Sequence, residues 1–304
     1  VSGATRTIDA HVHLWNRAVG RHEWIPRGGP LDRDFSAAEV RLELDFAGID
    51  AAILVQAEDS LADTWFLLGV ARDHDWIAGV VGWIPLDHPE AARAALDALV
   101  GEPALRGIRH LVHDDPRDDF LDLPEVRASL REVASRGLAF DVPDAWPRHL
   151  DAAARVARAI PELTVVIDHL AKPPVGGPDF DAWRRALGQV AAVPNTIAKF
   201  SGLHLPGAPF GLETVRPLWE TALDAFGPDR LMYGGDWPMS VPDGGYQATW
   251  EVMRECLSEL GETERSAVLG GTAESVYRSQ IVRPLWPQRH ETDSIVADYP
   301  LNIR

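Results

Sequence analysis

The chain has 304 residues, 46% of them hydrophobic, which supplies a large core and excludes disorder or collagen-like structure. Its 29 basic and 46 acidic side chains leave a formal net charge of −17, which argues against nucleic acid as a partner, because that requires a basic patch. The single cysteine, Cys256, excludes an intrachain disulfide and a zinc site built on several thiolates.

Residues 8–14 read as a first strand, followed by a long aromatic and polar segment over 15–35. Ser36-Ala37-Ala38-Glu39 then has the spacing of a capping box and opens a helix expected to stop at Gly48. Further β-branched runs predict strands at 51–56, 79–84, 107–112, 138–142, 164–169, 196–201 and 231–233. Helical spacing falls between them at 89–100, 124–135, 181–191 and 213–225, and after the last at 246–260. Strands alternating with helices imply parallel βαβ units, and eight such units predict closure into one barrel. No linker divides the chain, so residues 1–304 are expected to form a single domain, with 284–304 as a polar tail. The longest near-apolar stretch, 77–86, is too short to cross a bilayer, and no basic-then-apolar leader opens the sequence, so a cytoplasmic location is expected.

In a parallel barrel the C-terminal strand ends open on one face, so the residues there converge. The first strand ends Asp9-Ala10-His11-Val12-His13, and the i, i+2 spacing puts both imidazoles on one side. Alone, the pair reads equally well as two polar residues at a strand end. The sixth strand ends at His169, which alone reads as a satisfied core histidine. The eighth ends Gly234-Gly235-Asp236-Trp237-Pro238, where Asp236 alone reads as a turn residue. Brought to one mouth, the four suit a divalent metal such as zinc, and an aspartate there can take a proton from water.

Several segments together resemble the amidohydrolase superfamily in its amidohydrolase-related branch. They are 9–15, Val55-Gln56-Ala57, Gly79-Val80-Val81-Gly82-Trp83, Gly107-Ile108-Arg109-His110, 168–173, Lys199-Phe200-Ser201-Gly202 and 230–238. Within that branch the chain is similar to the sugar-lactonase-like group of L-fuconolactonases and L-rhamnono-lactonases, and 270–277 resembles the family's closing helix. The resemblance implies an α/β fold, a distorted (β/α)8 barrel of TIM type, that hydrolyses a lactone ring. It implies His11, His13, His169 and Asp236 as the catalytic set and as ligands of one divalent ion, zinc first. It also implies that some lactonases of the group dispense with the ion, whereas decarboxylases of the branch need it. The fourth strand has no lysine to become a bridging carbamate, which argues against a binuclear site of that kind. Asp63, Gly235 and Thr272 stand where glutamate, serine and asparagine are common in the family.

Substrate-binding candidates lie around the central four. Arg109 shares a strand face with Leu111 and His113, and its fork of donors can grip a carbonyl or carboxylate; a salt bridge inside the barrel is the equal alternative. Gln56 ends the second strand and is expected to reach a hydroxyl. Trp24 is expected to wall the pocket, and Trp15, Trp83 and Trp237 offer flat faces to a sugar ring, whereas Trp65, Trp183, Trp219 and Trp250 read as packing. A buried Lys199 needs a carboxylate, Asp9 or Asp141. Lys172 reads equally as a pocket residue or a solvated one.

The expected activity is hydrolysis of a small aldonolactone, with Asp236 as general base and the histidines polarising the carbonyl. The rivals are a metal-dependent decarboxylase of the same superfamily and a 2-pyrone-4,6-dicarboxylate-type lactonase, which should want several arginines where this mouth offers Arg109. The expected partner is a small-molecule lactone, with no nucleic acid and no membrane. The sequence does not set the oligomeric state.

Overall fold

Eight short strands stand side by side in chain order, each parallel to the next. They are β1 (Ile8–Val12), β2 (Ala51–Val55), β3 (Ile77–Gly82), β4 (Leu105–Arg109), β5 (Ala139–Val142), β6 (Val165–Ile167), β7 (Thr196–Phe200) and β8 (Leu231–Tyr233). The computed structural model describes residues 6–278 except 175, 176, 178, 206 and 207; the expected tail over 284–304 lies outside the described residues. Helices α1 (Ala37–Ala47), α2 (Leu61–Asp73), α3 (Pro89–Ala98), α4 (Pro124–Ser135), α5 (Leu150–Ala159), α6 (Asp179–Ala191), α7 (Leu212–Phe226) and α8 (Gly245–Leu257) intervene or follow. The short α9 (Glu262–Ser266) and α10 (Thr272–Val276) end the described chain. This is the (β/α)8 architecture.

Alternation along each strand makes two cores. Leu54, Val80, Ile108, Phe140 and Ile167 face the helices, whose apolar stripes carry Leu44, Leu130, Trp183 and Trp219. Ile8, Ala10, Ile53, Val81, Ala139, Val166 and Met232 fill the barrel, and Ala273 of the closing helix and Tyr277 just after it pack among them. The capping box forms as the sequence predicts. The Glu39 amide donates to Ser36 Oγ, the Ser36 amide donates to the Glu39 carboxylate, and α1 ends at Gly48 with φ +71°. Helices α2 and α5 were not among the helices the spacing predicts. The buried side of α2 carries Asp63 and Thr64 beside Leu67 and Leu68, so it shows no clean apolar stripe, whereas α5 does bury one side, built of Leu150, Val156 and alanines, and the spacing alone would have found it.

The barrel closes without a regular β1–β8 ladder. One parallel bridge, Val12 to Trp237, and two hydrogen bonds, His13 N to Trp237 O at 2.7 Å and Asp236 N to His11 O at 2.8 Å, span the gap. The bonds that complete the barrel therefore tie together the backbones of four candidate site residues, His11, His13, Asp236 and Trp237. Several strands stop short of their expected ends, β3 at Gly82 and β4 at Arg109 among them. β1 stops at Val12 and β6 at Ile167, so His13 and His169 lie past the last ladder positions, free to turn toward the mouth. Among the described residues no helix is long and apolar enough to cross a membrane.

Candidate active site

His11 sits at the end of β1 with its ring buried in the barrel. Its Nε2 lies 3.1 Å from Nε2 of His13, which the chain reaches two residues later. The Nδ1 of His13 lies 2.8 Å from the Val55 carbonyl. A carbonyl only accepts, so Nδ1 carries the proton and the Nε2 lone pair of His13 faces the mouth. His169, just past β6, stands with its ring 4.5 Å from that of His11, and its Nδ1 meets Ser201 Oγ at 2.9 Å. Asp236 follows β8 in left-handed backbone, φ +51°, with Oδ1 3.4 Å from His13 Nε2 and 3.7 Å from His11 Nε2.

Two glycines make that approach possible. A Cβ on Gly234 would stand 2.7 Å from Cβ of His11, and one on Gly235 would stand 2.3 Å from the Tyr246 ring. The second clash explains why glycine, not serine, precedes Asp236. Tyr246 occupies the space, donating its hydroxyl to Asp9 Oδ2 at 2.7 Å, while Asp9 Oδ1 accepts from the amides of His11 and Gly235. Burial pushes the Asp9 carboxyl up to about 6.

Behind the histidines lies a buried charge set. Lys199 Nζ is 2.5 Å from Asp141 Oδ2, 3.1 Å from Asp168 Oδ1 and 3.3 Å from His11 Nδ1. The Tyr277 hydroxyl donates to Asp141 at 2.8 Å, and Arg109 Nη1 approaches Asp168 at 3.3 Å and His11 Nε2 at 3.4 Å. Two cations face two carboxylates, as burial of charge requires. Of the two expected partners, Lys199 takes Asp141. Burial drives the His11 imidazole well below its ordinary range, with Lys199 and His169 adding to it, and lowers His169 as well, so both rings are neutral near pH 7. Burial alone would raise the Asp236 carboxyl, but His169, His13 and His11 crowd it and hold it well below the usual carboxylate range.

The mouth encloses a cavity of about 190 Å³. His13, His169 and Asp236 line it, as do Arg109 and Trp24. Arg109, Leu111 and His113 all line it, although β4 ends at Arg109 and the latter two lie in the loop beyond it, whereas His110 turns away and stacks on Phe120 at 4.1 Å. Trp24 is held as a wall by its indole N–H, which donates to the Ala57 carbonyl at 2.9 Å. Gln56 and Trp237 do not line the cavity. The Gln56 amide turns aside to Asp59 and the Arg109 carbonyl, and Trp237 packs its ring edge on Phe35. Trp15 is also buried on Phe35, and Trp83 donates to His110. Trp183 and Trp219 are core residues as expected, but Trp65 is 38% exposed. Asp63 is a structural residue, accepting the Ala57 amide at 2.9 Å. Sequence reading passed over Asp144, which lines the cavity two residues beyond β5; the strand-end rule applied to Val142-Pro143-Asp144 would have found it.

The donor set fits one divalent ion. A tetrahedral zinc with bonds of about 2.0–2.2 Å needs donor atoms roughly 3.3–3.6 Å apart. The separations among His11 Nε2, His13 Nε2 and Asp236 Oδ1 are 3.1, 3.4 and 3.7 Å. Asp236 Oδ1 is buried without a well-formed hydrogen bond, and His11, His169 and Asp236 can each aim a ligand atom within 4.8 Å of the others.

Fold and site together define an α/β barrel hydrolase with a histidine-aspartate centre at the C-terminal mouth. The chain belongs to the amidohydrolase family, whose pattern matches residues 8–279. It is 36% identical over 280 residues to an L-fucono-1,5-lactonase of Burkholderia ambifaria, covering 90% of this chain and 96% of that protein. It is 33% identical to an L-fucono-1,5-lactonase of Burkholderia multivorans, again over 90% and 96%. A crystal structure of an amidohydrolase from Burkholderia multivorans with bound zinc superposes with a TM-score of 0.80 at 31% identity, over 90% of this chain and 99% of that one.

Proposed function

We propose that the protein hydrolyses the ring ester of a small sugar lactone, with L-fuconolactone the first substrate to try. The observation that carries the reading is an aspartate and the imidazoles of His13 and His169 lining a cavity sized for one small ring, with His11 buried directly behind them, in a chain similar to two L-fucono-1,5-lactonases over nearly its whole length. The Arg109 guanidinium and the His169 Nε2–H, with Ser201 Oγ donating to His169 Nδ1, hold the lactone carbonyl and the negative charge that develops on its oxygen, while the Nε2 lone pair of His13 is placed to bind a metal ion. Asp236, already a carboxylate, accepts a proton from the attacking water as the water oxygen bonds to the carbonyl carbon. Collapse of the tetrahedral anion breaks the bond to the ring oxygen, which takes the proton back from Asp236 and leaves as a hydroxyl. One divalent ion, zinc by its donor set and by the bound zinc of the similar structure, would be held by His11, His13, His169 and Asp236 and would polarise the carbonyl as a Lewis acid.

The cavity disfavours a dicarboxylate pyrone. Arg109 and Lys172 are the cationic side chains that line it, against the carboxylates of Asp114, Asp144 and Asp236. The test is proton release from a panel of aldonolactones by metal-analysed protein, with and without chelator. Rapid proton release from L-fuconolactone or a close isomer is expected. Absence of release across the panel, or loss of CO2 from aromatic acids instead, would overturn the proposal. Activity that survives chelation would assign the chemistry to the side chains alone.

A further inference from the structure

Seven described residues other than glycine have left-handed backbone, and four of them, Asp144, His169, Lys172 and Asp236, line the active-site cavity. Such a conformation is strained for a residue that carries a Cβ and persists only where the surroundings impose it. His169 and Asp236 already have chemical roles. Asp144 and Lys172 carry the same signature without one.

Lys172 ends a continuous left-handed turn that begins at His169, with φ values of 55°, 51°, 66° and 60°. Three hydrogen bonds hold the turn: Lys172 N to His169 O at 2.8 Å, Trp146 N to Ala171 O at 2.9 Å, and the Trp183 indole to Leu170 O at 2.9 Å. One rigid device therefore aims His169 and Lys172 into the same cavity. Lys172 Nζ donates one hydrogen to Gly202 O at 3.1 Å, which leaves two for a ligand. Asp144, at φ +44°, presents a carboxylate whose Oδ1 is buried and has no hydrogen-bond partner among the described residues. A buried acceptor without a donor is costly to the free protein, and a ligand hydroxyl would relieve it.

We propose that Asp144 and Lys172 are the specificity-determining pair that reads the hydroxyl groups of the lactone; the inference rests on the lactonase reading above. A hydroxyl is donor and acceptor at once. The Asp144 carboxylate accepts from one ring hydroxyl, and the Lys172 ammonium donates to the oxygen of another. The Asp144 charge also repels an anionic substituent, so the class selected is a neutral polyhydroxylated lactone.

The test compares kcat/KM for L-fuconolactone with that for δ-valerolactone, a ring ester without hydroxyls, in the wild type and in Asp144→Ala, Asp144→Asn and Lys172→Met. The wild type is expected to favour the hydroxylated ring strongly. The ratio should fall about 10–100-fold in Asp144→Ala and Lys172→Met, and less in Asp144→Asn, which keeps one acceptor oxygen. A ratio within about twofold of wild type in the folded variants overturns the proposal. If the alanine variant does not fold, the near-isosteric Asp144→Asn and Lys172→Met decide by the same ratio. A wild type that opens δ-valerolactone as fast as L-fuconolactone refutes hydroxyl reading but leaves lactone hydrolysis standing. A wild type inactive on every lactone refutes both.

Discussion

An aspartate held ionised among three imidazoles is a weak base but is always in the form that accepts a proton. Its usefulness comes from position, so replacing its charge while keeping its shape should separate chemistry from fold. Asp236→Asn is expected to lower kcat by about 10²–10⁴-fold, with an unchanged circular dichroism spectrum and melting curve; full turnover in that variant would remove Asp236 from its role. Position also depends on a residue with no side chain. Gly202 has φ +58°, and a Cβ there would stand 2.1 Å from Nδ1 of His169. Gly202→Ala must strain its own backbone and displace the imidazole at once. A loss of at least about tenfold in kcat/KM is expected, since small misplacements at a reacting centre are costly. The strand-end reading located His11, His13, His169 and Asp236 because the C-terminal strand ends of a parallel barrel open on one face, so residues that are each ordinary alone converge there. It misplaced Gln56 and Trp237, whose partners, Asp59 and Phe35, come from segments that no local pattern links to them.

At the scale of elements, the loop after β4 carries three cavity residues, Leu111, His113 and Asp114, and is fastened by charge. Arg117 donates to both oxygens of Asp115 and also reaches Asp87. The side-chain hydrogen bonds from Arg117 hold the Asp115 carboxyl down at about 2, from an ordinary value of 3.8. The native state therefore binds this proton less readily than the unfolded chain. Its stabilisation is complete above about pH 4 and is lost as the pH falls from there toward 2. Because the Arg117 side chain is 40% exposed, the contribution is about 1 kcal/mol. Urea unfolding of Arg117→Ala should show that deficit at pH 7 and a shrinking one as the pH is lowered from 4 to 2. A pH-independent deficit would mean that Arg117 acts by packing alone. The helix starts at Ser36 and Pro89 were legible because capping is local chemistry. The left-handed turn at 169–172 was not, because nothing in His-Leu-Ala-Lys announces positive φ; the contacts from Trp146 and Trp183 impose it.

At the scale of the whole molecule, Lys199 is the hinge of the interior. It joins β7 to Asp141 of β5 and to Asp168 just past β6, while Tyr277, after the closing helix, binds the same Asp141. Removing one member leaves a buried charge uncompensated, so Lys199→Met should cost about 3–5 kcal/mol in denaturant unfolding. Adding Asp141→Asn to that variant should recover part of the loss, because the orphaned charge is then gone; no recovery would show that the cost is one of packing.

The order of strands and helices, the parallel barrel they form and the convergence of four residues at its mouth follow from the sequence by itself. Periodicity and strand ends are local properties, and parallel connection leaves one closure available. Only the tertiary structure decided which polar groups meet the cavity. Alternation assigns a side chain to a face only while the ladder lasts, and His13, Asp144, His169, Lys172 and Asp236 all lie beyond the last paired residue of their strands. Their direction is set by distant backbone, such as the Val55 carbonyl that turns His13 and the Trp237 and His11 carbonyls that seal the barrel.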